Sequence, residues 1–338
     1  MSANHRTGPF TEGALDKGHA FWRTYIASRP APTESFLQLI NDYHKANSDP
    51  RTSVAHDVGT GPGNIAYRLL SYFDYVVGSD VNENALAVAH DLISPDDLKR
   101  MEFVSCSAEE LAKATFSEHA GLGKTDLLMV SECMPLLDAP IAIQTFHTML
   151  RPGGTLAIYF YGRPIFVGDN SARFNEMYTS IADSAVECLH PINGTPGFAA
   201  YHRSATTIHS WLDNIEIPAD SWEKVERIKW NHDYPLMFCG KEGYDFEFER
   251  VDRTHPGETK KSIIDRDFWA EEMDAIRLAE YLASVLPGYR NHPETADRVV
   301  KVDELLQKLQ VAMGDADRKG GSRVTFPVSL ILATKRSI

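Results

Sequence analysis

The sequence has little cysteine, and no arrangement that would use it. Four cysteines stand among 338 residues (Cys106, Cys133, Cys188 and Cys239), and no two form a C-x-x-C pair. That excludes a disulfide-dense scaffold and a cysteine zinc site. Long apolar runs are missing too: the best stretches, residues 155–160 and 328–333, suit buried strands and fall short of a bilayer span. The opening text, MSANHRTGPFTEG, has no apolar segment, so no secretory signal is expected. Positive charge is in deficit. Lys and Arg total 34 against 47 Asp and Glu, a formal net charge of −13. So acidic a chain argues against a nucleic-acid backbone or an anionic membrane as partner. There is no H-E-x-x-H and no tight His/Asp cluster, so zinc is not expected. Asp169-Asn170 is the one pair that raises the question of magnesium, but such pairs are common turns, and no metal is expected. These absences predict a soluble, reduced, cytoplasmic protein.

What is present is an alternating text. Residues 19–30 carry Phe21, Trp22, Tyr25 and Ile26 at helical spacing, stopped by Arg29-Pro30. Residues 35–46 read as a second amphipathic helix. Short apolar strands then follow at 54–58, 75–80, 101–105, 126–131 and 155–161, separated by helical segments. Strands and helices in this rhythm predict an α/β fold with a parallel sheet covered on both faces. Beyond residue 162 the alternation stops. Long helical patterns at 268–286 and 296–313 dominate, interrupted by a strand-like piece at 224–230, and residues 325–334 read as a last strand. The expected division is N-terminal lid helices over 1–48, a cofactor-binding core over 49–162, a mostly helical cap insertion over 163–320 with a core strand near 224–230, and a final core strand in 321–338.

The turn after the first strand is the most informative segment: Asp57-Val58-Gly59-Thr60-Gly61-Pro62-Gly63-Asn64. It lies between a strand and a helix, where glycines let the chain turn tightly and let a ligand approach the backbone. A Walker A loop would need a terminal Lys, absent here; Gly121-Leu122-Gly123-Lys124-Thr125 lacks the leading glycine and precedes a strand. A dinucleotide fingerprint would need a third glycine where Asn64 stands. The remaining pattern is an acid two residues before G-x-G-x-G. Seventeen residues after Gly63, Asp80 ends the second strand, where a carboxylate can accept two ribose hydroxyls.

These residues resemble motif I and its acidic partner in the class I S-adenosylmethionine (SAM) methyltransferases. More narrowly, Tyr25-x-x-x-Arg29-Pro30, Ser107-Ala108-Glu109 and Leu150-Arg151-Pro152-Gly153-Gly154-Thr155-Leu156 resemble the fungal small-molecule branch that includes trans-aconitate methyltransferases. So do Phe160-Tyr161-Gly162, Arg227–Asn231 and Pro327–Thr334. The resemblance implies a Rossmann-like class I methyltransferase sheet with helices on both faces and a helical lid insertion. It also implies SAM as cofactor, bound by Tyr25, Arg29, Asp57, Gly59, Thr60, Gly61, Gly63, Asp80, Val81, Ser107, Ala108, Glu109 and Ser131. The acid near the turn is expected to attract the cofactor's ammonium group. One departure stands out. After the fourth strand, where the branch often carries an aromatic pair, the text is Ser131-Glu132-Cys133-Met134-Pro135-Leu136. That suggests a more apolar acceptor than trans-aconitate. The segment also lacks the Asn/Asp-Pro-Pro-aromatic signature of enzymes that methylate nucleic-acid amines.

The expected activity is methyl transfer to an oxygen, a hydroxyl or N-hydroxyl, of a small molecule such as a fungal secondary metabolite. A carboxyl methyltransferase, a non-catalytic SAM-binding regulator and, against Asn64, an NAD-dependent oxidoreductase remain as alternatives. Methyl transfer from a sulfonium chiefly requires alignment and exclusion of water. A base is needed only if the acceptor is not already ionised. His19, His202 and His209 are the candidates, the last two lying two turns apart if their segment is helical. Phe21, Trp22, Met134, Phe160, Tyr161 and Phe166 are the candidate acceptor wall.

Overall fold

A computed structural model describes residues 18–47, 52–316 and 321–337. The first five strands are β1 (Val54–Val58), β2 (Tyr75–Asp80), β3 (Met101–Ser105), β4 (Thr125–Ser131) and β5 (Leu150–Tyr161). They pair in parallel in the order β3-β2-β1-β4-β5. Every residue of β1 and of β4 is buried, as in a sheet covered on both faces. The covering helices include α1 (His19–Ser28), α2 (Glu34–Asn47), α3 (Asn64–Leu69), α4 (Glu83–Leu92) and α5 (Ala139–Met149). Asn82 starts α4 by accepting the Asn84 and Ala85 amides, at 3.1 and 3.2 Å, a side-chain N-cap. The strand order reverses direction between β1 and β4. The crevice at such a switch point is where open α/β sheets bind ligands.

The second half returns to the same sheet. After β6 (Ile165–Phe166), α6 (Ser171–Glu187) and α7 (Phe198–His209), the chain forms β7 (Trp222–Trp230) and β8 (Thr259–Ile263). Then come β9 (Glu271–Met273), α8 (Ala275–Val285), α9 (Ala296–Ala316), β10 (Ser322–Thr325) and β11 (Val328–Lys335). β11 inserts antiparallel between β5 and β7, and β8 forms the far edge. β6, β10 and β9 make a separate antiparallel sheet. The α/β class and Rossmann-like sheet expected from the sequence are therefore present, with strands as well as helices in residues 163–320.

Two expectations are corrected. The helical pattern at 268–286 becomes helix only from Ala275, because the Asp274 carboxylate accepts the Arg277 amide at 2.8 Å and starts the helix there. Phe268 instead stacks on Trp230 with ring centroids 4.4 Å apart. The single strand read over 325–334 is two, β10 and β11, serving different sheets. Pro327 lies at the break; it has no amide to donate to a ladder.

Candidate active site

The glycine turn is built from beneath by Asp57, which is fully buried. Its Oδ2 accepts the Thr60 hydroxyl at 2.7 Å and its Oδ1 the Ser131 hydroxyl at 3.3 Å. Burial pushes the carboxyl up to about 7, against the opposing pull of the Thr60 and Ser131 hydroxyls and the Ala66 amide. Within the protein its oxygens hold the turn and the start of α3. Thr60 and Ser131, both buried, do the same work from the other side.

The amides of the turn point back into the protein. Gly59 and Thr60 both donate to the Ser79 carbonyl, at 2.8 and 2.9 Å, and Gly61 donates to Asp80 Oδ2 at 2.8 Å. A phosphate nest needs outward amides, so this geometry disfavours the dinucleotide alternative. Gly59, Gly61 and Gly63 all have positive φ. A Cβ on Gly59 would lie 2.5 Å from Cys133 Sγ, so the turn and the end of β4 are in contact through the missing side chain. Asp80 Oδ1 accepts the Asn82 amide at 2.8 Å. Burial raises the Asp80 carboxyl, and the amides of Asn82, Gly61 and Val81 oppose that. Each carboxylate oxygen keeps a second lone pair, so Asp80 can still accept from a ligand. Val81 beside it is exposed. Ser107 follows β3 and is half-buried, Ala108 is buried, and Glu109 is turned to α5, its Oε1 accepting the Asp138 amide at 3.0 Å.

α1 roofs the turn. Trp22 is buried against Ala85 and Val88 of α4, with Phe21 and Tyr25 packed beside it, and its ring lies 3.8 Å from a Cβ placed on Gly61. Arg29 ends α1 and reaches across the molecule: Nη1 donates to the Tyr161 hydroxyl at 3.0 Å and Nη2 to the Ser284 carbonyl of α8 at 3.2 Å. Its guanidinium stacks 4.8 Å from the Tyr25 ring centre. Glu132, the first residue after β4, stands 3.7 Å from Arg29 and accepts the Tyr161 amide at 2.8 Å. Burial pushes its carboxyl up to about 8, opposed by Arg29 and the Tyr161 amide. Glu132 was not among the site residues read from the sequence. The position after a central strand was the available signal; its backbone φ of +66° was not.

The remaining candidates divide. Tyr161 joins the Arg29 cluster. Met134, Phe160 and Phe166 are core residues; Phe160 packs on Phe238 at 5.8 Å, and Phe166 on Phe174 at 5.4 Å. His19 begins α1, and its side chain lies outside the described residues. His202 and His209 do share α7, but both face segment 246–248. His202 Nε2 pairs with the Glu247 carbonyl at 3.0 Å, and the His209 ring packs on Phe248 at 5.4 Å. Burial lowers the His209 pKa. His202 also lines a cleft of about 780 Å³ with His147, Arg203, Asn214, Trp222 and Arg253, none of them from the glycine turn. Neither base candidate is thus brought to the turn. Among the described residues, no three His, Cys, Asp or Glu side chains converge to hold a metal ion, and no helix is long and apolar enough to cross a membrane.

Polar side-chain atoms near the turn are left without hydrogen bonds. Trp22 Nε1, Arg29 Nε and Glu132 Oε2 are buried without hydrogen bonds around the turn, and Asp80 has acceptor capacity at the β2 end. Polar atoms stranded in this way mark places for a ligand's polar groups. Comparison with known proteins places the chain among methyltransferases. The methyltransferase-domain family profile matches residues 55–154. The methyltransferase ptaI of Pestalotiopsis fici is 52% identical over 97% of this chain and 96% of its own length. The methyltransferase pgmE of Aspergillus terreus is 37% identical over 93% of both chains. The methyltransferase cfoB of Aspergillus candidus is 32% identical over 93% of this chain and 94% of its own.

Proposed function

The chain belongs to the SAM-dependent methyltransferases of the fungal secondary-metabolite type, and from that premise we propose that it methylates an oxygen of a small molecule, a hydroxyl or N-hydroxyl. When bound, SAM supplies an electrophilic methyl group on a positively charged sulfur. The protein's own residues do the rest. The Gly59–Gly63 turn, with Asp80 at the end of β2, would hold the nucleoside side. Val81, Ser107 and Ala108 would border the base. α1 excludes water.

The observation that carries the reading is this enclosure: Trp22 and Tyr25 close over the turn, and Arg29 bonds α1 to β5 and α8. Such a roof suits a small acceptor better than a polymer. With His202 and His209 turned to segment 246–248, an acidic hydroxyl that needs little help is favoured.

Labelled-methyl transfer to phenols, N-hydroxyindoles, aconitate, thiols and amines tests this. A methyl ether or N-methoxy product supports it. A methyl ester as the main product would assign the carboxyl-methylating alternative. No transfer to any acceptor, with SAM binding intact, would assign a regulator.

A further inference from the structure

Arg163 is buried, with 9% of its surface exposed. Its Nη1 has no hydrogen bond, and among the described residues no hydrogen bond or ion pair reaches any atom of the guanidinium. An isolated buried cation is costly. Arg227, by contrast, is paired with Glu258 and bonded to two carbonyls, and Arg29 is bonded to Tyr161 and Ser284.

The chain holds Arg163 at the ligand-binding end of the sheet. It follows β5, whose carboxyl end lies with those of β1 and β4, and such ends line the crevice of open α/β sheets. Gly162 before it is clamped. Its amide donates to the Pro327 carbonyl at 2.9 Å, its carbonyl accepts the Tyr281 hydroxyl at 2.8 Å, and a Cβ there would run into the Leu236 carbonyl. Pro164 after it restricts the Arg163 backbone. Because β4 lies between β5 and β1, Arg163 stands apart from the glycine turn and Asp80, on the side of the cap insertion.

The groups acting on the guanidinium are Asp183 and Tyr178 of α6, and Cys239. Burial raises both Tyr178 and Cys239, so each is neutral at pH 7. Tyr178 donates its hydroxyl proton to the Leu278 carbonyl at 3.3 Å. Asp183 is the one carboxylate of the three and is engaged elsewhere, its Oδ1 accepting the Gly240 amide at 2.7 Å. A fixed cation, a neutral phenol and a neutral thiol thus meet at the cap side of the crevice, and the bonded anion is missing.

We propose that Arg163 seats an oxyanion of the methyl acceptor, a carboxylate or an ionised phenol, and so selects anionic acceptors over neutral ones of the same shape. This rests on the reading above that the crevice takes a small acceptor. It concerns the acceptor's charge and not the atom that is methylated.

Calorimetry at pH 8 on the full chain loaded with S-adenosylhomocysteine tests the seat with matched pairs. Hydroxybenzoates against hydroxybenzamides probe for a carboxylate; 4-nitrophenol, largely ionised at that pH, against neutral 4-nitroaniline probes for a phenolate. The wild type should bind the anion of at least one pair about ten- to a hundredfold more tightly. Arg163→Met should bring that ratio to within about twofold of one, and Arg163→Lys should restore part of it. Both variants should bind S-adenosylhomocysteine as the wild type does, a control for folding. Asp183→Asn, which removes the competing carboxylate, should increase the preference. Because the cation is unpaired, Arg163→Met should keep or raise Tm, which loss of a structural ion pair would not do. The proposal is overturned by absence of anion preference in every pair. It is equally overturned if Arg163→Met keeps the preference or melts more than about 5 °C lower. Labelled-methyl transfer reads the underlying assignment separately: a methyl ester would overturn hydroxyl methylation and leave the seat standing, whereas a methyl ether formed without anion preference would do the reverse.

Discussion

The Gly61 amide donates to Asp80 Oδ2 at 2.8 Å, and this bond ties the turn after β1 to the end of β2. The same carboxylate accepts the Asn82 amide through its other oxygen. Asp80 therefore shapes the turn and caps the start of the next loop, besides offering acceptors to a ribose. Asp80→Ala should strand both amides, each worth about 1–3 kcal/mol when buried and unpaired. It should lower S-adenosylhomocysteine affinity at least about tenfold and also lower Tm. Calorimetry and a thermal melt check both; an unchanged affinity would sink the assignment of Asp80 to the site.

The pH dependence of stability should bear the mark of Asp57. Its folded carboxyl is raised to about 7, above the roughly 3.9 of an unfolded Asp. The folded state thus binds more protons than the unfolded state between about pH 4 and 7, and stability falls as pH rises through that window. Asp57→Asn removes the titrating group, so the decline should flatten even if absolute Tm drops through weakened bonds to Thr60 and Ser131. Melts of the ligand-free protein from pH 4.5 to 8 measure the slope. An equal slope in the variant would show that Asp57 is ionised throughout.

Gly59→Ala should destabilise by about 2 kcal/mol or more. The new methyl would meet Cys133 Sγ at 2.5 Å, and φ is +69°. Adding Cys133→Gly relieves the contact and leaves the backbone conformation strained, so only part of the loss should return. Denaturant melts of the single and double variants separate the two contributions; full recovery would mean that φ costs nothing there.

Trp22→Ala should loosen the roof without unfolding the sheet. Trp22 is buried in a small cluster with Ala85 and Val88, distinct from the main core. Hydrogen exchange should speed up over α1 and stay unchanged over β1, β4 and β5. S-adenosylhomocysteine should bind more weakly and dissociate faster. Uniform exchange increases would mean that α1 belongs cooperatively to the core.

Arg227→Met should cost about 3–5 kcal/mol, the usual penalty for breaking a buried ion pair. Arg227 and Glu258 are nearly inaccessible and paired, and Arg227 also donates to the Leu212 and Ile215 carbonyls at 3.0 and 2.7 Å. Glu258→Gln should cost less, because Arg227 keeps both carbonyls. The pair anchors residues 212–215 and the loop before β8 to β7. Urea melts give the ordering; a larger loss for Glu258→Gln would contradict it.

Much of the sheet was legible because β1 to β5 are mostly apolar segments separated by helices, as strands buried on both faces tend to be. The turn was legible because G-x-G-x-G after a strand leaves few chemical options. The Phe268–Met273 stretch misled because aromatic spacing cannot separate a helix from rings stacked in a core. Trp230, the residue that stacks on Phe268, lies 38 positions away. Met134, Phe160 and Phe166 misled for a related reason: apolar residues near strand ends read alike whether they face a ligand or the interior.

By itself the sequence determined the α/β class, the place of the crevice and the chemistry of its turn. Those depend on local periodicity and on backbone conformations that only glycine adopts easily. Tertiary structure alone decided which charges meet there. Arg29 is held by Tyr161 and by Ser284, 132 and 255 residues away, and it faces Glu132 only because α1, β4, β5 and α8 converge. Asp57, for which the family resemblance implied a direct ionic contact, is fully buried and bonded to Thr60 and Ser131. A residue's charge is written in its type. Whether that charge is satisfied from within or left for a ligand depends on the hydrogen-bond partners that folding brings to it.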